Sequence, residues 1–430
     1  MRLLYRAVSV FLLLATSSAI AAPKKICVLG DSLSREYGLE FPEFDDARNW
    51  VEILAQERAG QLSFGEAKEV PGLEDRVYYA FNNSVPTSTA EDYRERVTDF
   101  IWLWFQALIQ SDLNDVDCVV IFLGGNDIDS VYGDIYNNTN SSAATTIRNR
   151  IKSDLTEIID YVRDEEPNVD MVLVNVPHVG ATPEVKGDHP THPVKTQRVT
   201  NTLITLNAQL ATLAQEKGIG YADVYTLTEE LLSDDDYFIG ARPFINEGDD
   251  DGDPEYMWLG GDLSQNFHPN TQGQAIVANA IIEALVDDLG YNVTPLGNRE
   301  IVEDIVGLDY DKIFTEWAAG FSLTDDSITG DDDKDGLNNL LEFTFDLDPA
   351  TPDSPTVLSP SNDGSFFEFT YTPRSDLLGY VTIKPQFSTD ASNWLDIAAA
   401  NITDNPDGSK TASLPMTGSR IFARIEVSVR

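Results

Sequence analysis

The strongest constraint on this chain is an alternation that runs from residue 24 to about residue 290. Short apolar runs rich in β-branched residues lie at 25–29, 76–81, 118–123, 171–176 and 219–224. Longer segments with helical periodicity separate them, at 49–61, 91–110, 144–163, 196–217 and 274–289. Strands that are apolar throughout are buried on both faces, and a helix between successive strands is what parallel pairing requires. The expected fold class is α/β: about five parallel strands covered by helices on both faces, in one unit over residues 24–290.

The remainder has a different texture. Residues 291–298 read as a linker, 301–321 as amphipathic, 325–348 as strongly acidic and 349–361 as rich in Pro and Ser. From 354 to 430 apolar and polar residues alternate. Phe367, Phe369 and Tyr371 share one period, Val381 and Ile383 a second, and Ile425, Val427 and Val429 a third, with Asp363-Gly364 and Asp407-Gly408 as turn signals. That pattern predicts a small antiparallel, sandwich-like β domain.

The first 21 residues carry Arg2 and Arg6, a short apolar run at 8–14 and the small residues of Ala19-Ile20-Ala21, the pattern of a cleaved secretory signal. The run is too short to span a bilayer, and no later segment approaches ~20 apolar residues, so no transmembrane anchor is expected and the protein is read as secreted, periplasmic or at the cell surface. With 29 Lys+Arg against 72 Asp+Glu the formal charge is −43, which argues against nucleic acid or an anionic membrane as partner, because phosphate contacts need cations. Two cysteines, Cys27 and Cys118, do not make a disulfide scaffold; both lie in strand-like runs and could face each other, but two buried free thiols are expected.

Three short motifs carry the chemistry. Gly30-Asp31-Ser32-Leu33-Ser34 follows the first strand, Gly124-Gly125-Asn126-Asp127 follows the run 118–123, and His268-Pro269-Asn270 precedes the last helix of the α/β unit. In a parallel sheet the loops at the carboxyl ends of the strands share one edge, so these distant residues can converge. Ser32 on a tight turn is the candidate nucleophile and needs a base. His268 is the candidate base, the other three histidines lying within the irregular stretch 178–192. The Ser32 backbone N–H and the Asn126 amide can stabilise an oxyanion. Taken singly, each motif is an ordinary turn, loop or cap; their order and placement argue for a site.

Together the three motifs resemble the SGNH hydrolases, the GDSL esterase and lipase family, over residues 24–289. The resemblance implies a three-layer α/β/α, flavodoxin-like fold, Ser-His ester hydrolysis, and no metal or organic cofactor for catalysis. It implies Ser32 as nucleophile, Asn126 as oxyanion donor and His268 as base. Two departures stand out. The family's second block has a glycine whose N–H completes the oxyanion hole, yet no Gly occurs between Leu73 and Leu123. The equivalent loop is Asn82-Asn83-Ser84-Val85-Pro86-Thr87, in which Asn83, ahead of Ser84, is the expected replacement, since Asn tolerates positive φ. The family also has Asp three residues before the histidine, where this chain has Gln265. Asp262, six residues upstream, is the expected orienting acid, with Gln265 or a backbone carbonyl as the alternatives.

The acidic segment has a chemistry of its own. Asp331-Asp332-Asp333-Lys334-Asp335-Gly336-Leu337-Asn338-Asn339-Leu340-Leu341-Glu342 matches the spacing of a calcium loop. Asp331, Asp333 and Asp335 would give carboxylates, Leu337 its carbonyl, Asn339 a side chain or bound water, and Glu342 a bidentate carboxylate. The segment resembles the calcium loops of dockerin and thrombospondin type 3 repeats, and a structural Ca2+ is expected there. Asp249-Asp250-Asp251-Gly252-Asp253 lacks a closing Glu and reads as a solvated loop.

The function expected is hydrolysis of carboxylic esters. Short acyl groups on neutral carbohydrates are the first choice of substrate and lipids the second, with a non-catalytic binding protein as the rival from another class. Tyr132 and Tyr136 are expected to line one wall of the cleft. Residues 233–261 are expected either to form its rim or lid or to be a surface insertion, and Phe100-Ile101-Trp102-Leu103-Trp104-Phe105 to be a helix packed into the core.

Overall fold

The computed structural model describes residues 22–430 except 45, 71–72, 241, 262–265, 353–356, 378–379, 417–419 and 430. The expected signal segment, Asp262 and Gln265 therefore lie outside the described residues. Five parallel strands form the main sheet in the spatial order Leu62–Ser63, Lys24–Gly30, Cys118–Phe122, Asp170–Val174, Gly220–Ala222. Numbered along the chain this is the order 2-1-3-4-5, the doubly wound arrangement in which the chain reverses direction across the sheet between the first and third strands. Successive residues of each strand enter two separate cores. Ile26, Val28, Cys118 and Val120 pack under the helices Trp50–Glu57 and Thr271–Glu283, whereas Cys27, Leu29, Val119 and Ile121 pack under Ala90–Thr98, Ala143–Glu165 and Lys195–Lys217. The same alternation puts Cys27 and Cys118 on opposite faces, as free buried thiols.

Several sequence expectations need correction. The run 76–81 is not a strand of the main sheet; Leu73–Tyr79 pairs antiparallel with Ala67–Val70 as a separate hairpin, and the fifth sheet position goes to the short strand Leu62–Ser63. The segment 91–110 is two helices, Ala90–Thr98 and Leu103–Leu113, broken at Asp99 and the 3-10 turn Phe100–Trp102. Only Phe105 of the 100–105 run is buried in the core. The supposed linker is packed rather than free: Tyr291, Val293 and Leu296 are buried, and Arg58 clamps the segment with a two-pronged pair to Glu300 (2.6 and 2.9 Å) and a hydrogen bond to the Thr294 carbonyl.

Beyond residue 300 the chain adds the helix Lys312–Ala319, the short helix Asn339–Phe345 and two antiparallel sheets, one of four strands and one of three. Phe343 joins these parts: its ring meets Phe314 (5.3 Å), Trp317 (5.1 Å) and Tyr380 (6.2 Å), with the Arg374 guanidinium over it at 4.8 Å. Aromatic contacts of this kind are worth about 0.5–1.5 kcal/mol each beyond area burial. Phe369, Tyr371 and Leu414 fill the sandwich interior together with Phe345. No helix among the described residues is long and apolar enough to cross a membrane.

Candidate active site

The first strand ends at Gly30, where a Cβ would stand 2.8 Å from Ser34 Cβ and 3.0 Å from Ser84 Oγ, so only glycine lets the next turn fold back this tightly. Asp31 then ties the turn: its Oδ1 accepts the Leu33 N–H at 3.0 Å. Ser32 sits at the crest, at the carboxyl edge of the sheet beside the switch point. Its Oγ lies 2.8 Å from His268 Nε2, although 236 residues separate them in the chain. That distance is within proton-transfer reach.

His268 is held by its neighbours on both sides. The strand Tyr256–Leu259 accepts and donates around it, with Leu259 N–H on the His268 carbonyl (3.0 Å) and Asn270 N–H on the Met257 carbonyl (2.8 Å). Tyr37 donates its hydroxyl to the Pro269 carbonyl at 2.9 Å, and the Phe41 ring lies 4.6 Å from the imidazole. Within residues 233–261, expected to form a cleft rim or lid or a surface insertion, Met257, Trp258 and Leu259 are buried and their strand holds the backbone around His268.

Asn126 opens the helix Gly125–Asn137 and turns its amide toward the serine loop. Its Nδ2 donates to Asp31 Oδ2 at 3.2 Å and to the Ser88 carbonyl at 3.0 Å. An amide has two N–H groups, so both donors of Asn126 are engaged, the longer bond going to Asp31. Burial pushes the Asp31 carboxyl up to about 7, against the opposing pull of the Leu33 N–H. Burial likewise lifts Asp127 to about 6; its Oδ2 accepts the Ala90 N–H at 2.7 Å and so fixes the start of the helix Ala90–Thr98. A serine hydroxyl on an imidazole beside a side-chain amide is the constellation of acyl transfer.

Residues 28–276, more than half of the chain, match the model of the GDSL-like Lipase/Acylhydrolase family. The chain belongs to that family of ester hydrolases. Similar solved structures include a lipase from a goat rumen metagenome (11% identity, 61% of this chain and 97% of that one, TM-score 0.38). An extracellular lipase from Streptomyces rimosus (14%, 61% and 99%, TM-score 0.37) and a catalytic mutant of an acetylxylan esterase from Geobacillus stearothermophilus (15%, 64% and 97%, TM-score 0.35) are also similar. No curated protein matches.

In this GDSL-like hydrolase the second-block loop is not built as its sequence suggests. Asn83 has no donor to spare: its N–H goes to the Val28 carbonyl (2.9 Å), and its amide donates to Asp112 Oδ2 (2.8 Å) and meets Cys27 Sγ (3.5 Å). Ser84 is occupied too, with both N–H and Oγ on Asn82 Oδ1. The residue that takes the glycine-like conformation is Thr87, at φ +62°. Its N–H, like that of Ser32, has no intramolecular acceptor among the described residues. A β-branched residue at positive φ is strained, and such strain persists only where the surroundings impose it. The sequence signal was there in Thr89, the N-cap of the helix Ala90–Thr98, which places Thr87 two residues before the cap, but threonine is the wrong residue type to look for.

The tyrosines expected at the cleft wall are also displaced inward. Tyr132 and Tyr136 are buried, stacked on each other (6.0 Å) and on His189 (5.4 and 5.1 Å). Among the described residues, the one cluster of metal-type ligands is Asp331, Asp333 and Asp335, with carboxylate oxygens within 4.8 Å of one another. Gly336 takes φ +93° to turn the loop. Asn339 is buried, its Nδ2 fixed by the carbonyls of Asp325 and Ser327 (both 2.8 Å), while its Oδ1 and Asp331 Oδ1 accept no hydrogen bond. Glu342 is buried in the short helix that follows. These oxygen donors fit a hard divalent cation. In the weaker loop, Asp249 spends Oδ2 on the N–H groups of Asp251 and Asp253, as expected of a solvated turn.

Proposed function

We propose that the protein is an exported serine esterase in which Ser32 attacks the carbonyl carbon of a carboxylic ester. The observation that carries this reading is the 2.8 Å approach of Ser32 Oγ to His268 Nε2 beside the Asn126 amide. His268 Nε2 takes the serine proton as the C–O bond forms. The tetrahedral oxyanion is met by the Ser32 N–H, the Thr87 N–H and the Asn126 amide released from Asp31. Collapse expels the alcohol oxygen, which receives the proton from His268. Water then attacks the acyl-serine with the same imidazole as base, releasing the acid and restoring Ser32. Asp31 in its protonated state adds no negative charge beside the developing oxyanion.

The loop at 331–342 holds a structural calcium ion in this reading, bound by Asp331, Asp333, Asp335, Asn339, Glu342 and the Leu337 carbonyl. It takes no part in the acyl transfer; it neutralises converging carboxylates and stiffens the loop ahead of Phe343. The segment 1–21 directs export and is removed. Short acyl groups on neutral carbohydrates fit the charge of the chain, but the exposure of Phe100, Ile101, Leu103 and Trp104 favours a second substrate class, the lipid esters.

Labelling with a fluorophosphonate, with hydrolysis of p-nitrophenyl acetate alongside, tests the chemistry. The intact protein is labelled and active, and Ser32→Ala is neither; an unlabelled, inactive intact protein overturns the enzyme reading in favour of a binding protein.

A further inference from the structure

The segment that sequence patterning places in the core is the most exposed apolar surface among the described residues. Phe100 is 80% exposed, Ile101, Leu103 and Trp104 are 64% each, and Leu108 is 44%. Together they present on the order of 600 Å2 of apolar surface, at or above the usual size of the largest patch on a monomeric protein. The broken helix explains the exposure. The turn at Asp99 and Phe100–Trp102 rotates the apolar stripe of Leu103–Leu113 outward, leaving Phe105, Ile109 and Leu113 as its buried residues of large apolar type.

The charge pattern says what covers this face. Residues 100–111 contain no Asp, Glu, Lys or Arg. At the chain's 23% charged residues, a segment of that length carries about three. The charges around it are of both signs, as a zwitterionic headgroup layer requires: Arg96 stands 5.1 Å over the Trp102 ring and Lys68 lines the adjoining groove, while Asp99 and Asp112 bound the segment and Glu40 lines the same groove. That groove, about 800 Å3, has Trp104 and Leu108 on one wall and residues 84–86, which lead into Thr87, on another; Arg35, three residues beyond Ser32, also lines it. The apolar face is thus continuous with the loops of the esterase site. Ile101, Leu103 and Leu108 offer aliphatic bulk rather than the polar rim a sugar ring needs. Exposed Trp and Phe among aliphatic residues suit the boundary between headgroups and acyl chains.

We propose that residues 100–108 dock the protein on the surface of a zwitterionic lipid aggregate, so that an ester at that surface reaches Ser32 through the groove beside Trp104. The cations Arg96 and Lys68 meet the lipid phosphates, while the net charge of −43 keeps the protein from strongly anionic surfaces. As a statement about substrate, the proposal rests on the esterase reading; as a statement about binding, it does not.

Flotation with phosphatidylcholine vesicles, using Ser32→Ala so that no lipid is consumed, is the test. The full chain carrying Ser32→Ala floats with phosphatidylcholine and much less with phosphatidylglycerol. Adding Phe100→Ser, Ile101→Ser and Trp104→Ser lowers the bound fraction at least tenfold, as does the single change Ile101→Glu, which alters one exposed side chain. In the active chain the single change Ile101→Glu, at a residue that does not line the groove, leaves p-nitrophenyl acetate hydrolysis within about twofold and cuts hydrolysis of vesicle-borne long-chain esters at least tenfold. Absence of binding to phosphatidylcholine, binding indifferent to these substitutions, or a dimer formed through this face without vesicle binding overturns the proposal. An inactive protein that still floats through this face overturns the esterase reading alone.

Discussion

The acids around Ser32 and the acids of the 331–342 loop are the same residue types in opposite situations. Asp31, Glu36 and Asp127 are buried and Glu52 is half-buried, and each receives backbone N–H groups: Leu33 on Asp31, Tyr79 on Glu36, Tyr37 and Asn49 on Glu52, and Ala90 on Asp127. Burial is the first cause of the upward shift of all four. In the loop, three carboxylates converge within 4.8 Å, and Lys334 is the one basic residue between Lys312 and Arg374. A lone buried carboxyl can be settled by dipoles and a proton, whereas a converging cluster calls for a cation. The first set therefore builds the backbone turns around Ser32, and the second gathers the carboxylates of the proposed calcium loop.

The largest effect expected from breaking that division is at the oxyanion. Asn126→Ala lowers kcat on p-nitrophenyl acetate by about 10²–10³, while dialysis against EDTA at 25 °C leaves kcat within twofold. A comparable loss on chelation would show that the two regions are not separate. Calcium removal instead acts on stability. An ion present at about 100 times its Kd stabilises by about 2.7 kcal/mol, so chelation lowers Tm by several degrees, measured by calorimetry. Asp333→Asn makes Tm indifferent to calcium and Asp127→Asn does not; a calcium response that survives Asp333→Asn sinks the assignment.

The pH dependence sharpens the buried side of the comparison. Asp31 is raised from 3.8 to about 7, Glu52 from 4.5 to about 7 and Asp127 from 3.8 to about 6. A raised folded pKa means the folded state holds the proton more tightly than the unfolded chain. Its stabilisation is full below about pH 4 and is lost as pH rises through 6 to 7. Tm therefore falls between pH 5 and pH 8, and Asp31→Asn flattens that slope; an unchanged slope would mean that Asp31 does not carry it. The smallest effect belongs to Thr87. If only its N–H and φ matter, Thr87→Gly keeps kcat within about threefold and changes stability by about 1 kcal/mol or less, while a loss beyond tenfold would assign work to the threonine side chain.

Much of the fold was legible because a buried parallel strand leaves an uninterrupted apolar run: 25–29, 118–123, 171–176 and 219–224 all mark strands of the sheet. The run 76–81 failed because an apolar stretch does not say which strand it pairs with, and the two-residue strand Leu62–Ser63 is too short to leave a pattern. Phe100 to Phe105 failed for a related reason: apolar content argues for burial only if the helix is continuous, and it breaks at Asp99.

The sequence by itself determined the parallel α/β unit, the three motifs of the candidate site and the acidic spacing of residues 331–342, because each is written in residues close together along the chain. Tertiary structure alone decided that Ser32 and His268 meet at 2.8 Å, that Asn83 is spent on the first strand while Thr87 takes the left-handed turn, and that Phe100, Ile101, Leu103 and Trp104 face outward. Those facts depend on which donor reaches which acceptor and which face a helix turns to its neighbour. Contacts between distant segments set both, and no local pattern records them.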